Sequence, residues 1–462
     1  MENLISVDKL HEECGVFGIY APEGENVAED IYCGLTALQH RGQESAGMSV
    51  SDTGSPEINL ITKKGMGLVS EVFDKKILES LKGNAGLGHV RYSTTGESVI
   101  ENAQPIAMNY IKGTLSLVHN GNIVNASEIK KEQMYRGQAH YTSTDSEVLA
   151  YEIISNRVKT NSIEEAVIKT AGRLKGGYAV IVMSPRKLVG FRDPFGIKPL
   201  ILGKRDNTYI LASESAAIIS IGGEIIRDVL PGEVISITPE GKKSDRSLCR
   251  EGEAHCIFEY IYFARSDSVI DGIEVHDARS KAGQCLAKRD NIDADLVTGV
   301  PDSGLAAAEG YAKESGIPFA FIFHKNSYIG RSFIKPTDKE RQTAVHMKLS
   351  VLNTRVKDKR IILIDDSIVR GNTMRQIIEL LRQAGAKEVH VRISSPPFLH
   401  PCFYGTDVPN SRELIAAEHS DEDVRKSIGA DSLSYLKISD FKAMVGDLPL
   451  CKACFDGVYP DN

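Results

Sequence analysis

The sequence predicts two unlike units in one chain, an α+β half with largely antiparallel sheets and then an α/β half with a parallel sheet. Three observations carry this. Short apolar or alternating strands recur from residue 14 to about 238, with few helical stretches between them. After about residue 290 the order becomes strand, amphipathic helix, strand. Between the two lies "GKKSDRSLCREGEAH", 241–255, polar and glycine-containing, which marks a boundary. A length of 462 residues suffices for several separate cores.

In the first half the expected strands are "CGVFGIY", "INLITKKG", "AGLGHVRYS", "GTLSLVHNG", "GYAVIVMS", "KLVGFRD", "YILASES" and "EVISITP", with helices at "IYCGLTALQHRG" and "SEVLAYEIISNRVKT". In the second half "ADLVTGV" leads into the helix "PDSGLAAAEGYAKESG" and the strand "PFAFIF". "RIILIDD" then leads into "SIVRGNTMRQIIELLRQAGA" and "EVHVRISS". The tail beyond about 410 reads as helices.

Bulk composition narrows the function. With 42% hydrophobic and 25% charged residues the chain is globular. Its formal charge of −7 arises from 62 acids and 55 bases, which excludes a general nucleic-acid or membrane-surface binder but permits a local basic pocket for a small anion. No apolar run reaches membrane-spanning length; "GGYAVIVM", 176–183, is strand-sized. The leader "MENLISVDKLHEE", 1–13, is polar and acidic and is no export signal. Eight cysteines in such a chain suggest reduced thiols, metal ligands or catalysis in the cytoplasm.

The stretch "RIILIDDSIVRGNT", 360–373, delivers Asp365 and Asp366 to the carboxyl end of a buried strand, where ligands of open parallel sheets sit. Ser367, Gly371, Asn372 and Thr373 then offer hydroxyls and bare amides at a helix start, a cradle for phosphate. The two acids would repel phosphate, so sugar hydroxyls and hydrated Mg²⁺ are their natural partners. The alternative is a strand ending in two solvated aspartates. This stretch resembles the ribose-phosphate loop of the type I phosphoribosyltransferases, and "GVPDSG", 299–304, resembles that family's pyrophosphate and metal loop, with Asp302 and Ser303 at a helix start. The resemblance implies that 365–373 binds phosphoribosyl pyrophosphate and that Ser303, Asp365 and Asp366 hold Mg²⁺. Between these stretches, 324–350 carries Lys325, Arg331, Lys335, Lys339, Arg341 and Lys348. It reads either as a solvated basic loop or as a lid over the departing pyrophosphate.

Read on spacing alone, Cys14 is a buried structural cysteine opening a strand. The sharper reading is that the leader is removed after Glu13, leaving Cys14 as first residue. Arg41 and Gly42 in "LQHRGQESAG", Arg91 in "GHVRYSTTG", Asn120 and Gly121 in "LVHNGNI", and Asp145 in "STDSEVL" are each weak signals. In this order, behind Cys14, they resemble the class II glutamine amidotransferases, N-terminal-nucleophile hydrolases with a four-layer αββα fold. A free α-amine has a pKa of about 8, so it can accept a proton from the thiol of the same residue. By the resemblance Cys14 attacks the glutamine amide. The Asn120 side chain and Gly121 N–H stabilise the oxyanion, a contact worth about 3 kcal/mol. Arg91 takes the substrate α-carboxylate, Asp145 takes its α-ammonium, and Arg41 and Gly42 complete the glutamine site.

Together the halves resemble the glutamine phosphoribosylpyrophosphate amidotransferase family, over residues 14–462. That implies a propeptide at 1–13, a glutaminase domain at 14–240 and a phosphoribosyltransferase domain at 250–462. It also implies synthesis of 5-phosphoribosylamine, glutamate and pyrophosphate, feedback by purine nucleotides, and a homotetramer. "CKAC" supplies Cys451 and Cys454, too few alone for a metal site. Cys402 with Cys256 or Cys249 would complete four thiolates, and spacing chooses neither the cysteine nor iron over zinc. The resemblance selects Cys256, Cys402, Cys451 and Cys454 around a 4Fe–4S cluster, as in one propeptide-processed subgroup. Cys33 and Cys285 fall on helical patterns and are expected to be packed. Two competing functions remain: another class II amidotransferase such as a glucosamine-6-phosphate synthase, which "IDDSIVRGNT" disfavours, and a catalytically silent phosphoribosyl-pyrophosphate-sensing regulator, which would not need the Cys14 constellation.

Overall fold

The computed structural model describes residues 14–55, 60–92, 98–326, 349–406, 408 and 411–461. The leader 1–13 and the basic residues Arg331, Lys335, Lys339, Arg341 and Lys348 lie outside the described residues, as does the 93–97 stretch after Arg91.

Two antiparallel sheets form the first unit. The strands of one are β1 (Gly15–Tyr20), β2 (Ser45–Ser51), β3 (Leu60–Met66) and β4 (Ala85–Arg91), together with three later strands described below. The other sheet begins with β5 (Ile106–Tyr110), β6 (Gly113–Ile123), β7 (Gly176–Ser184) and β8 (Lys187–Arg192). β9 (Ile201–Arg205), β10 (Thr208–Ala212) and β11 (Glu224–Asp228) join the first sheet in the order β11-β9-β10-β1-β4-β2-β3. β12 (Val234–Thr238) and β13 (Gly241–Asp245) join the second, in the order β13-β12-β8-β7-β6-β5.

Alternation along the strands makes this a four-layer αββα sandwich. On β1, Val16 and Tyr20 enter the core between the sheets, with Leu87, Val118, Ile181 and Leu211. Phe17 and Ile19, of opposite parity, pack outward on Ile31 and Leu35 of the helix Ala28–Ala37. On the other outer face, Leu117 and Val180 meet the helices Asp145–Val158 and Ile163–Ala171. Each such buried aliphatic side chain stabilises the fold by about 1.5–3 kcal/mol.

β2 was hidden in the sequence because "SAGMSVS" is small and polar. It is nevertheless fully buried between β3 and β4, where sheet position outweighs propensity. β13 also lies in the stretch read as a boundary, so the second sheet runs on to Asp245.

The second unit is a parallel sheet of β17 (Leu296–Gly299), β20 (Arg360–Asp365), β21 (Glu388–Ile393) and β22 (Ser432–Tyr435), adjacent in that order. Helices Val275–Lys288 and Gly304–Ser315 cover one face, and Asn372–Gln383 and Asp421–Ile428 the other. The first two helices touch backbone to backbone: a Cβ on Gly283 would stand 1.8 Å from the Ala307 carbonyl oxygen. β22 corrects the all-helical reading of the tail. "PFAFIF" gives only a parallel bridge at Phe319, with the short strand β18 (Phe323–Lys325) starting at its last residue and pairing with β19 (Leu349–Val351).

One apolar core runs across the junction, from Phe17 and Leu35 through Phe258 and Ile261 to Ala278, Val297 and Phe398. Two buried ion groups accompany it. Arg41 reaches both Glu214 and Glu259, and Arg192 forms a bidentate pair with Asp271 at 2.7 and 2.9 Å.

Candidate functional site

Cys14 stands at the head of β1, whose next residue, Gly15, is opposite Val90 of β4. It shares strand parity with Val16, Arg91 shares it with Leu87, and Asn120 with Val118, so all three side chains turn into the space between the sheets. The buried Cys14 thiol donates to the Tyr92 carbonyl oxygen at 3.5 Å. Burial pushes its pKa up to about 11; Arg91 opposes this, while the Glu44 and Asp145 carboxylates add to it.

Asn120 is wholly buried, and among the described residues neither its Oδ1 nor its Nδ2 has a hydrogen-bond partner. Leaving a buried amide unpaired costs about 1–3 kcal/mol. Gly121 has φ +128°, and a Cβ there would lie 2.1 Å from the Gly177 carbonyl oxygen; only glycine fits. Asp145 begins its helix and accepts from the Ile123 N–H at 2.9 Å, with its other oxygen 3.6 Å from His119 Nδ1. Burial lowers the pKa of His119, which keeps the imidazole neutral beside that carboxylate.

One expected glutamine contact has other partners in the structure. The Arg41 guanidinium binds Glu214 and Glu259 at the domain junction. A charge taken out of water is drawn to buried carboxylates, and a sequence read in isolation does not reveal them. Its neighbour Gly42 packs closely on β4, since a Cβ there would stand 2.6 Å from the Arg91 backbone. Glu44, which pairs with Arg91, and His119 were passed over, although both lie inside the quoted motifs "LQHRGQESAG" and "LVHNGNI".

In the second unit Asp365 and Asp366 end β20, both buried. The Ser303 and Ser367 hydroxyls donate to the two oxygens of Asp366, tying the 299–304 loop to the 365–373 loop. Gly304 permits this approach, because a Cβ there would lie 2.4 Å from the Ile364 carbonyl oxygen. Asp302 and Lys325 form an ion pair at the exposed rim. Gly371, at φ +85°, turns the chain into the helix beginning at Asn372 and Thr373. Arg279 and Tyr262, which the motifs did not include, interact electrostatically with the acids. Desolvation holds the Arg279 pKa down to about 10 despite Asp366, and burial raises the Tyr262 phenol, with Asp366 and Asp365 adding to it.

A third group of residues lies at the junction. β14 (His255–Cys256) pairs in parallel with β23 (Leu450–Cys451), setting Cys256 opposite Cys451. Cys402 and Cys454 complete the walls of one cavity, which Cys249 does not line. All four thiols are free of disulfides. Burial raises the Cys454 pKa well above the usual thiol range and pushes Cys451 up to about 12, and the neighbouring cysteines contribute to both. Among the described residues no three His, Cys, Asp or Glu side chains close on one point at metal-binding range, so these thiols surround a space. Cys285 is half-buried, whereas Cys33, expected to be packed, is exposed on the outer side of its helix.

Comparison with known proteins gives the same division. A glutamine amidotransferase domain model matches residues 89–220 and a phosphoribosyl transferase domain model matches 271–394, defining a two-domain glutamine-dependent transferase. The amidophosphoribosyltransferase of Methanocaldococcus jannaschii is 43% identical over 463 aligned positions, covering 97% of each chain. That of Bacillus subtilis is 44% identical, covering 99% of this chain and 96% of the relative. A solved structure of the glutamine phosphoribosylpyrophosphate amidotransferase from B. subtilis, complexed with ADP and GMP, superimposes with TM-score 0.89 at 44% identity over 97% of both chains. The chain belongs to the amidophosphoribosyltransferase family.

Proposed function

We propose that the family's reaction, the first step of purine biosynthesis, is divided in this chain between Cys14 and the Asp365–Thr373 loop. The observation that carries the reading is the buried Asn120 amide, without a partner among the described residues and turned into the same inter-sheet space as the Cys14 thiol. Cys14 Sγ attacks the glutamine side-chain carbonyl carbon. Its proton passes to the α-amine that removal of residues 1–13 exposes. Asn120 Nδ2 and the Gly121 N–H receive the oxyanion, the C–N bond breaks and ammonia leaves; water then releases glutamate from the thioester. Arg91 holds the substrate α-carboxylate and Asp145 its α-ammonium, with Gly42 shaping the wall. The ammonia nitrogen then attacks the sugar C1 as the bond to pyrophosphate breaks.

At the second site Asp365 and Asp366 hold the ribose hydroxyls, Ser367 to Thr373 the 5-phosphate, and Lys325 with the loop backbone at Asp302 the pyrophosphate. The oxygen donors Ser303, Asp365 and Asp366 suit a hard cation, and bound Mg²⁺ would neutralise charge on the leaving pyrophosphate. The shared cavity supports a 4Fe–4S cluster on Cys256, Cys402, Cys451 and Cys454, a group wide enough to reach thiolates that do not meet at one point. It would cross-link the chain's end to the junction. The B. subtilis complex with ADP and GMP supports regulation by purine nucleotides. Family likeness supports a homotetramer. Among the described residues no helix is long and apolar enough to cross a membrane, in keeping with a cytoplasmic enzyme. The relatives named above are enzymes, which leaves the silent regulator without support.

The test is to incubate purified protein with glutamine, with and without phosphoribosyl pyrophosphate, and to record the mass of the chain. Glutamate release from a chain that starts at Cys14 is the expected result. Full glutamine activity in a chain that keeps its leader would overturn the α-amine role.

A further inference from the structure

The loop that carries Cys402 does more than line the thiol cavity. Its other side lies on the glutaminase strand β6, 281 residues earlier in the chain: Asn122 Nδ2 donates to the Phe403 carbonyl oxygen at 2.8 Å. Two residues on, Gly405 has φ +101°, and a Cβ there would stand 2.8 Å from the Gly121 carbonyl carbon and 3.0 Å from its Cα. Between them Tyr404 is buried against Gly177, the residue whose carbonyl also presses on Gly121; a Cβ on Gly177 would meet the Tyr404 Cβ at 3.1 Å. Gly121 is therefore held on two sides, by β7 from its own unit and by 403–405 from the other. The loop is fixed in turn by the Tyr404 N–H donating to Cys402 Sγ at 3.4 Å and by the Tyr459 hydroxyl donating to the Pro401 carbonyl oxygen at 2.7 Å.

We infer that Phe403–Gly405 is a clamp that sets the position of the Gly121 N–H, and that Asn122 and Gly405 are positioning residues for the glutaminase half-reaction. The inference rests on the assignment of Asn120 and Gly121 to the oxyanion. Oxyanion donors act only when aimed at the charge that develops in the transition state, so a small displacement of Gly121 lowers turnover more than it weakens glutamine binding. It should leave untouched a reaction of the same thiol that forms no oxyanion.

Iodoacetamide supplies that reaction, because the sulfur displaces iodide at a saturated carbon. Full-length wild-type, Asn122→Ala and Gly405→Ala proteins are compared in three measurements: glutaminase kcat and KM, ammonia-driven synthesis, and the rate of Cys14 alkylation by mass spectrometry. Asn122→Ala is expected to lower glutaminase kcat about tenfold, and Gly405→Ala, which drives a methyl into Gly121, up to about a hundredfold. The glutamine KM, the ammonia-driven rate and Cys14 alkylation are expected to stay within about twofold. Wild-type glutaminase turnover in both variants overturns the clamp. So does loss of ammonia-driven synthesis or of alkylation in step with kcat, since either makes the loop a general support. A wild-type protein that releases no glutamate defeats the Cys14 assignment itself, before any variant is compared.

Discussion

Cys14, Arg91, Asn120 and Asp145 reach the proposed amide site from three different strands and a helix, whereas Asp365 through Thr373 reach the proposed sugar site on one strand and the turn that follows it. The first is a product of closure. Its groups become neighbours only when two sheets pack face to face, which also strips them of water: the thiol pKa is pushed up to about 11, and the Asn120 amide has no partner among the described residues. The second is a local device. Its acids are bridged to one neighbouring loop through Ser303, and its rim pair, Asp302 with Lys325, remains exposed. On the proposed assignments, a buried site suits the generation of ammonia out of contact with bulk water, and a site with an exposed rim pair suits a large, highly charged substrate.

This contrast can be broken most directly by disabling one site at a time. Cys14→Ala is expected to lower glutamine-dependent synthesis by at least about a thousandfold while ammonia-driven synthesis continues; Asp365→Ala should damage both. Product formation with each nitrogen source reads this out, and an ammonia-driven rate that survived Asp365→Ala would remove the sugar-site assignment. A smaller effect isolates the unpaired amide: Asn120→Ala should cost about a hundredfold in glutaminase kcat, with the glutamine KM little changed. If kcat held, the orphaned side chain would have no part in the chemistry.

The mildest test uses pH. Only the thiolate is nucleophilic, so alkylation of Cys14 in a chain that retains its leader should speed up with rising pH until about 11 and then level. Once the leader is removed, an α-amine of pKa about 8 stands beside the sulfur, and the rise should begin nearer neutrality. Identical profiles in the two forms would mean that the amine does not assist.

Legibility in the sequence follows the same divide. "RIILIDDSIVRGNT" announced a strand, a pair of acids and a glycine-led turn into a helix, because all the parts lie within 14 successive residues and obey local rules of periodicity and turn chemistry. The amide site was readable only as a set of weak motifs. Within them the ion pairing of Arg41 was not legible, since its partners Glu214 and Glu259 lie 173 and 218 residues away. β2 and β22 were missed for a related reason: neither "SAGMSVS" nor "SLSY" reads as a strand until its neighbours are in place.

By itself the sequence determined the two grammars of the chain, the acids at the end of β20 and the glycine-led turn after them. These depend on alternation, chain stiffness and hydrogen bonding between residues close in sequence. The tertiary structure decided which charges are paired, that Cys256 rather than Cys249 faces Cys451, and that the Cys402 loop rests on Gly121. Those outcomes depend on desolvation and close packing between segments up to about 280 residues apart, and no local pattern in either segment records them.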